Sequence, residues 1–200
     1  TFKMKPYPSI PKPEANKEQV LVFEKYDGSN LRFEWSKKQG WHKFGTRTRL
    51  FDKNDPDFGD AIELFNNTVR EQVEKLTFDN FKAKERFIAY FEYFGKESFA
   101  GKHKPDDPKK LVLLDVDIYK QCFVSPKDFA KVYSEQMENA AKFLCSAQIT
   151  EEFIQKVREG GFPVFEGVIC KWGERHNIKR MKIKTHKYLE KLKEMYADNW

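Results

Sequence analysis

Lys25-Tyr26-Asp27-Gly28-Ser29-Asn30 gives one lysine an unusual setting. Leu21 to Phe23 alternate into Glu24 before it, and Leu31 to Trp35 alternate again after it. The pattern predicts strand, tight turn, strand, with Asp27-Gly28 as the turn. A lysine at the lip of such a turn sits on a rigid scaffold and can point into a cleft. Desolvated beside other cations, its amine loses its proton and becomes a nucleophile.

Outward from this segment, residues 41–46 read as a third strand. Ala61, Ile62, Phe65, Val69 and Val73 recur at helical spacing, which predicts one helix of about four turns before Thr77. Residues 87–94 and 111–119 read as buried strands, separated by a charged loop over 101–110. Ser125-Pro126 starts a helix expected to run to about Phe143, with room for a break along it, and Thr150 caps a short helix that stops at Gly160-Gly161. Residues 162–170 and 180–183 are the last strands. Tyr188, Leu189, Leu192, Met195 and Tyr196 mark a closing amphipathic helix. Strands mixed with irregularly placed helices predict an α+β domain with largely antiparallel sheets. Residues 1–200 read as a single domain in which 1–20, with prolines at 6, 8, 11 and 13, form an extended lead-in.

Composition narrows the classes. At 200 residues and 40% hydrophobic content the chain can bury a sizeable core, and 19 Phe make that core bulky. No apolar run approaches a membrane span, and Cys122, Cys145 and Cys170 are odd in number and far apart. They predict reduced, buried thiols in a cytoplasmic, intracellular protein, with neither a disulfide framework nor a zinc site. Asp52-Lys53-Asn54-Asp55-Pro56-Asp57 lacks the Gly and Glu placement of a calcium loop and reads as a surface turn. Between 171 and 193 lie nine Lys or Arg and two Glu, against a net +6 for the whole chain, so the excess positive charge is concentrated there. A localised basic surface is the footprint of a phosphate-rich partner; a solvated helix face accounts equally for Lys187, Lys191 and Lys193.

Four further segments end these strands with groups that suit a nucleotide. Gly45-Thr46-Arg47-Thr48-Arg49 offers two guanidinium forks. Phe91-Glu92-Tyr93-Phe94-Gly95 ends an apolar strand with a carboxylate. Glu166 and Lys171 lie an odd number of residues apart, on opposite faces of a regular strand unless the chain bends near Gly167. Lys182 and Lys184, two apart, share one face, while Met181 and Ile183 take the other.

In order and content these segments resemble the covalent nucleotidyltransferase superfamily of ATP-dependent polynucleotide ligases and capping guanylyltransferases. Lys25-Tyr-Asp-Gly28 is similar to its motif I, Glu92 to motif III, Glu166-Gly-Val-Ile-Cys-Lys171 to motif IV, and Lys182-Ile-Lys184 to motif V. Ser29-Asn30, Thr46-Arg47-Thr48 and Tyr7-Pro8-Ser9-Ile10 resemble nick-sealing RNA ligases of the double-strand repair type; DNA ligases usually carry Arg where Asn30 stands.

The resemblance implies an α+β ligase adenylation domain, acting as a monomer. Lys25 takes AMP from ATP, passes it to a 5′-phosphate end of RNA, and a 3′-hydroxyl then displaces it. Lys182 and Lys184 join Lys25 as catalytic groups. Glu24, Asn30, Arg47, Glu92, Glu166 and Lys171 contact the nucleotide, and Glu166 holds Mg2+ or Mn2+. A lysine that titrates at about 10.4 must lose roughly three units, about 4 kcal/mol, to be free near neutrality. The expected source is desolvation together with Lys182, Lys184 and Arg47. Two departures stand out. The strand expected to supply an aromatic ring over adenine carries Leu114 or Val116, and only 16 residues follow Lys184, too few for a C-terminal accessory domain. A DNA or mixed RNA/DNA ligase, a guanylyltransferase and a non-catalytic basic nucleic-acid-binding domain are the alternatives.

Overall fold

The alternating stretch around Lys25 forms two strands, but they do not make a hairpin. In the computed structural model, which describes residues 3–197, β1 (Gln19–Lys25) and β2 (Ser29–Ser36) lie in different sheets. The expected turn is instead a connection between layers. A side chain at Gly28 would overlap the Tyr93 carbonyl oxygen, so only glycine lets the chain cross so close to β5 (Arg86–Gly95).

The chain is α+β. Its larger sheet has six strands in the order β4-β3-β2-β5-β6-β7, with β3 (Gly40–Thr46), β4 (Leu50–Phe51), β6 (Lys109–Ile118) and β7 (Cys122–Phe123). The smaller has four, β10-β9-β1-β8, with β8 (Phe143–Gln148), β9 (Gly167–Trp172) and β10 (Lys179–Lys184). All strand pairs in both sheets are antiparallel.

Strand alternation sorts the faces. Leu31, Phe33, Phe87, Ala89 and Phe91 of the six-stranded sheet join a core with Ala61, Phe65, Val69 and Val73 of α1 (Gly59–Thr68) and α2 (Arg70–Asn80). The helix expected as one piece is thus two, broken at Val69. Val20, Val22, Val168, Cys170, Met181 and Ile183 of the four-stranded sheet pack on Phe153, Ile154 and Val157 of α4 (Glu151–Arg158), whose Thr150 cap accepts from the Phe153 N–H. The opposite faces of the two sheets look at each other, and the cleft between them carries the polar residues.

Three expectations need correction. The helix from Pro126 is short: α3 (Pro126–Phe129) runs into a π-helical turn ending at Ser134, and residues 143–148 are an edge strand. Residues 162–166 are irregular, so β9 starts only at Gly167. The basic stretch 171–193 is not one surface, because Lys171 and Arg180 are buried against Asp115. The final helix is α5 (His186–Met195), capped by Thr185 and anchored by buried Tyr188. Cys122, Cys145 and Cys170 are free thiols, and only Cys170 is fully buried. Among the described residues no helix is long and apolar enough to cross a membrane.

Candidate active site

Register places the lysines. On the cleft face of the smaller sheet, Lys25 pairs across with Gly167 and Lys184, Phe23 with Ile169 and Lys182, and Leu21 with Lys171 and Arg180. Directly opposed residues share a face, so three rows step down the cleft. Facing them on the larger sheet, Asn30 opposes Glu92, and Arg32 opposes Tyr90 and then Asp115. Between the layers lies a cavity of about 500 Å³. Glu24, Lys25, Asn30, Arg47, Glu92, Ile169 and Lys171 all line it.

At the mouth, Lys25 Nζ sits 2.6 Å from Glu166 Oε1, and Lys184 Nζ 3.9 Å from the same oxygen. The nearest partner of Lys25 is therefore a carboxylate and not the ring of cations expected. Glu166 stands just before β9, where the chain bends, and so reaches the cleft although Lys171 lies an odd number of residues on. A side chain at Gly167 would overlap the Ile183 carbonyl oxygen. Thr185 fixes the bend: its N–H donates to Glu166 O at 2.8 Å and its hydroxyl to Phe165 O at 2.9 Å. Glu166 Oε2 is buried without a partner. Burial raises the Glu166 carboxyl above its usual range, opposed by Lys25 and Lys184.

Burial also lifts Glu92 to about 8; Lys25 and Arg47 pull against it, while Glu166 and Asp27 reinforce it. Beside it, Asn30 Oδ1 is a buried acceptor with no partner. Lys182 is lowered, by burial first and then by Lys184 and Lys25, which puts these three ammonium groups in one field. Arg47 is held by Tyr7, whose carbonyl accepts from Nη1 at 3.0 Å. Glu24 is raised by burial, with the Tyr26 hydroxyl and then Lys142 pulling it back.

The floor is an ion cluster. Asp115 Oδ2 accepts from Arg180 at 2.7 Å, Tyr7 at 3.0 Å and Lys171 at 3.1 Å, and Lys171 also donates to Leu114 O at 2.9 Å. Lys171 thus lines the cavity with its charge committed to Asp115. Burial lowers Lys171, and the two cations hold Asp115 below its usual range despite burial. The register of β5 and β6 skips Leu114, and this bulge turns it into the cavity while Val116 stays in the core. Sequence alone points to no site role for Asp115, Arg180 or Thr185. An acid inside the apolar run 111–118 was the available signal for Asp115. Among the described residues no cluster of three or more His, Cys, Asp or Glu forms a ready metal site.

No protein-family model matches the chain. No curated protein matches it in sequence. Solved structures do match in shape. A putative ATP-dependent DNA ligase from Aquifex aeolicus superposes with a TM-score of 0.64 at 19% identity, over 97% of this chain and 53% of its own. A Naegleria gruberi RNA ligase with ATP and Mn gives 0.65 at 17%, over 95% and 59%. An archaeal ATP-dependent RNA ligase gives 0.61 at 15%, over 92% and 49%. The chain spans about half to three-fifths of the length of these proteins. Two facing antiparallel sheets with flanking helices are thus the fold that this chain shares with these solved RNA and DNA ligase structures.

Proposed function

We propose that this chain is a single nucleotidyltransferase unit of an ATP-dependent RNA ligase, joining 5′-phosphate to 3′-hydroxyl ends through AMP carried on Lys25. The observation that carries the reading is the mouth of the cavity: Lys25, Glu166 and Lys184 meet where a nucleotide-sized space lined by Asn30, Arg47 and Glu92 opens. A single intracellular copy suffices for this chemistry.

Lys25 Nζ attacks the α-phosphorus of ATP as the free amine, so its contact with Glu166 has to open and its proton has to leave first. The new P–N bond forms as the P–O bond to pyrophosphate breaks. Lys182 and Lys184 approach from β10 and stabilise charge on the phosphate oxygens. Glu92, protonated at neutral pH, can donate to or accept from a ribose hydroxyl, and the unpartnered Asn30 Oδ1 accepts a further donor. Arg47 takes a phosphate or the ribose, Glu24 stands near the base, and Leu114 and Ile169 supply aliphatic faces for it. Lys171 supports this wall from the floor. The orphaned Glu166 Oε2 fits a divalent cation, Mg2+ or Mn2+, of the kind held by one carboxylate plus substrate phosphates. Such an ion would supply Lewis-acid stabilisation.

The decisive experiment is incubation with Mg2+ and α-labelled ATP or GTP, followed by a denaturing gel. Labelling from ATP in the wild type, lost in both Lys25→Ala and Lys25→Arg, is the expected result; the arginine keeps the Glu166 pair without a nucleophile. Absence of any label leaves a non-catalytic nucleic-acid-binding domain. A DNA-joining enzyme is the second reading, favoured by the equally good superposition on the Aquifex protein. Nicked RNA, DNA and hybrid duplexes separate the two.

A further inference from the structure

Lys25 walls two spaces. Besides the nucleotide cavity, a groove of about 520 Å³ opens on its other side and shares Glu24, Lys25 and Tyr26 with it. Phe165 stands in this groove with 49% of its surface exposed, although it is a large ring in a segment held by Thr185. Its edge contact with Tyr188, centroids 5.7 Å apart, fixes the ring without covering it. Lys191 Nζ lies 5.2 Å from the Phe165 centroid and 4.8 Å from that of Phe99. Exposed Lys96 and Lys110 line the same groove. Of its four acids, Glu24 and Asp27 are half-buried, Asp27 accepting from the Ala100 N–H at 2.8 Å, and Glu166 is paired with Lys25. Glu138 is the exposed acid on this rim, set against three exposed lysines.

We propose that this groove holds the phosphorylated 5′ end of a single polynucleotide strand, its terminal base on Phe165 and its phosphates on Lys191, Lys96 and Lys110. The inference rests on the ligase reading above. With the base and ribose of AMP filling the first cavity, the acceptor must reach Lys25 from the side left open, and that side is this groove. An exposed ring among cations is the combination that binds unpaired bases irrespective of sequence. In the transfer an oxygen of the 5′-phosphate bonds to the AMP phosphorus while the P–N bond breaks. Lys25 Nζ keeps that electron pair and takes up a proton.

The test is fluorescence anisotropy of the whole chain with a single-stranded RNA of about twelve nucleotides, 5′-phosphorylated or 5′-hydroxyl, across a salt series. Phe165→Ala should weaken binding about tenfold or more. Lys191→Glu should weaken it and flatten the salt dependence by about one phosphate contact. Lys37→Glu, an equal charge change at the exposed β2–β3 turn, should bind as wild type. Melting temperatures check that each variant is folded. Wild-type affinity in both groove variants, equal losses in the turn variant, or indifference to the 5′-phosphate would overturn the proposal. Labelling with ATP is scored separately. Protein that takes label while its groove variants bind normally loses the groove alone; protein that binds RNA through Phe165 and Lys191 yet takes no label keeps the groove and loses the ligase reading.

Discussion

Glu92 and Asp115 face the same cleft from neighbouring strands yet hold their protons differently. Glu92 is raised to about 8, so the folded chain keeps a proton that the unfolded chain releases near its ordinary value of 4.5. Stability should therefore fall as pH rises from about 4.5 toward 8 and level off above it. Water reaches Glu92 through the cavity, which limits the effect to about 1–3 kcal/mol. Urea unfolding of wild type and Glu92→Gln at pH 5 and pH 8 checks this: the wild type should lose more between the two than the glutamine variant. Asp115 shows the reverse, since Lys171 and Arg180 favour its charged form. Asp115→Ala strands two buried cations and should cost about 3–5 kcal/mol, read as a lower denaturation midpoint. Replacing Glu166 separates stability from chemistry. Glu166→Gln keeps the shape of the bend at Gly167 but removes the carboxylate charge proposed to hold the divalent cation, so adduct formation should fall while the melting temperature moves by a few degrees at most.

At the level of elements, the strand content around the lysine was legible because alternation is a local signal. Phe87 to Phe94 and residues 111–118 announced themselves by apolar runs, and the caps at Thr150 and Ser125 by their residue types. What alternation does not encode is the partner. Asp27-Gly28 has the composition of a hairpin turn, yet Gly28 is there to let the backbone pass Tyr93, and Asp27 to accept from Ala100. Residues 143–148 escaped for a related reason: Phe143-Leu144-Cys145-Ser146-Ala147-Gln148 has no strong period and becomes a strand only by pairing with β1. The candidate site was legible in its residue types and not in its charge balance. The pairing of Lys25 with Glu166 depends on a bend that register alone reveals. Gly167→Ala tests that bend. With no room beside the Ile183 carbonyl, β9 and β10 must separate locally, so this variant should lose both several kcal/mol and adduct formation, measured by melting and by labelling.

Over the whole molecule, the lead-in is a strap rather than a tail. Arg32 Nη1 donates to Met4 O, Tyr90 to Lys5 O at 2.7 Å, and Arg47 to Tyr7 O. Farther along, Lys182 N–H donates to Pro11 O at 3.0 Å and Lys17 N–H to Ile149 O at 2.9 Å. The strap therefore crosses from one sheet to the other, and Met4 and Tyr7 are buried beneath it. Removing residues 1–11 should cost about 4 kcal/mol or more from these bonds and the two buried side chains. Since small domains hold only about 5–15 kcal/mol in total, a melting curve should show the truncated chain much weakened.

The central place of β1 between β8 and β9 has a consequence for synthesis. Lys25 leaves the ribosome ahead of its neighbours on both sides, which follow more than a hundred residues behind it. Until β9 and β10 emerge, Lys25 has neither its acidic partner Glu166 nor the neighbouring Lys182 and Lys184. The cleft face around Lys25 is completed late, when β9 and β10 pair onto a strand made well before them.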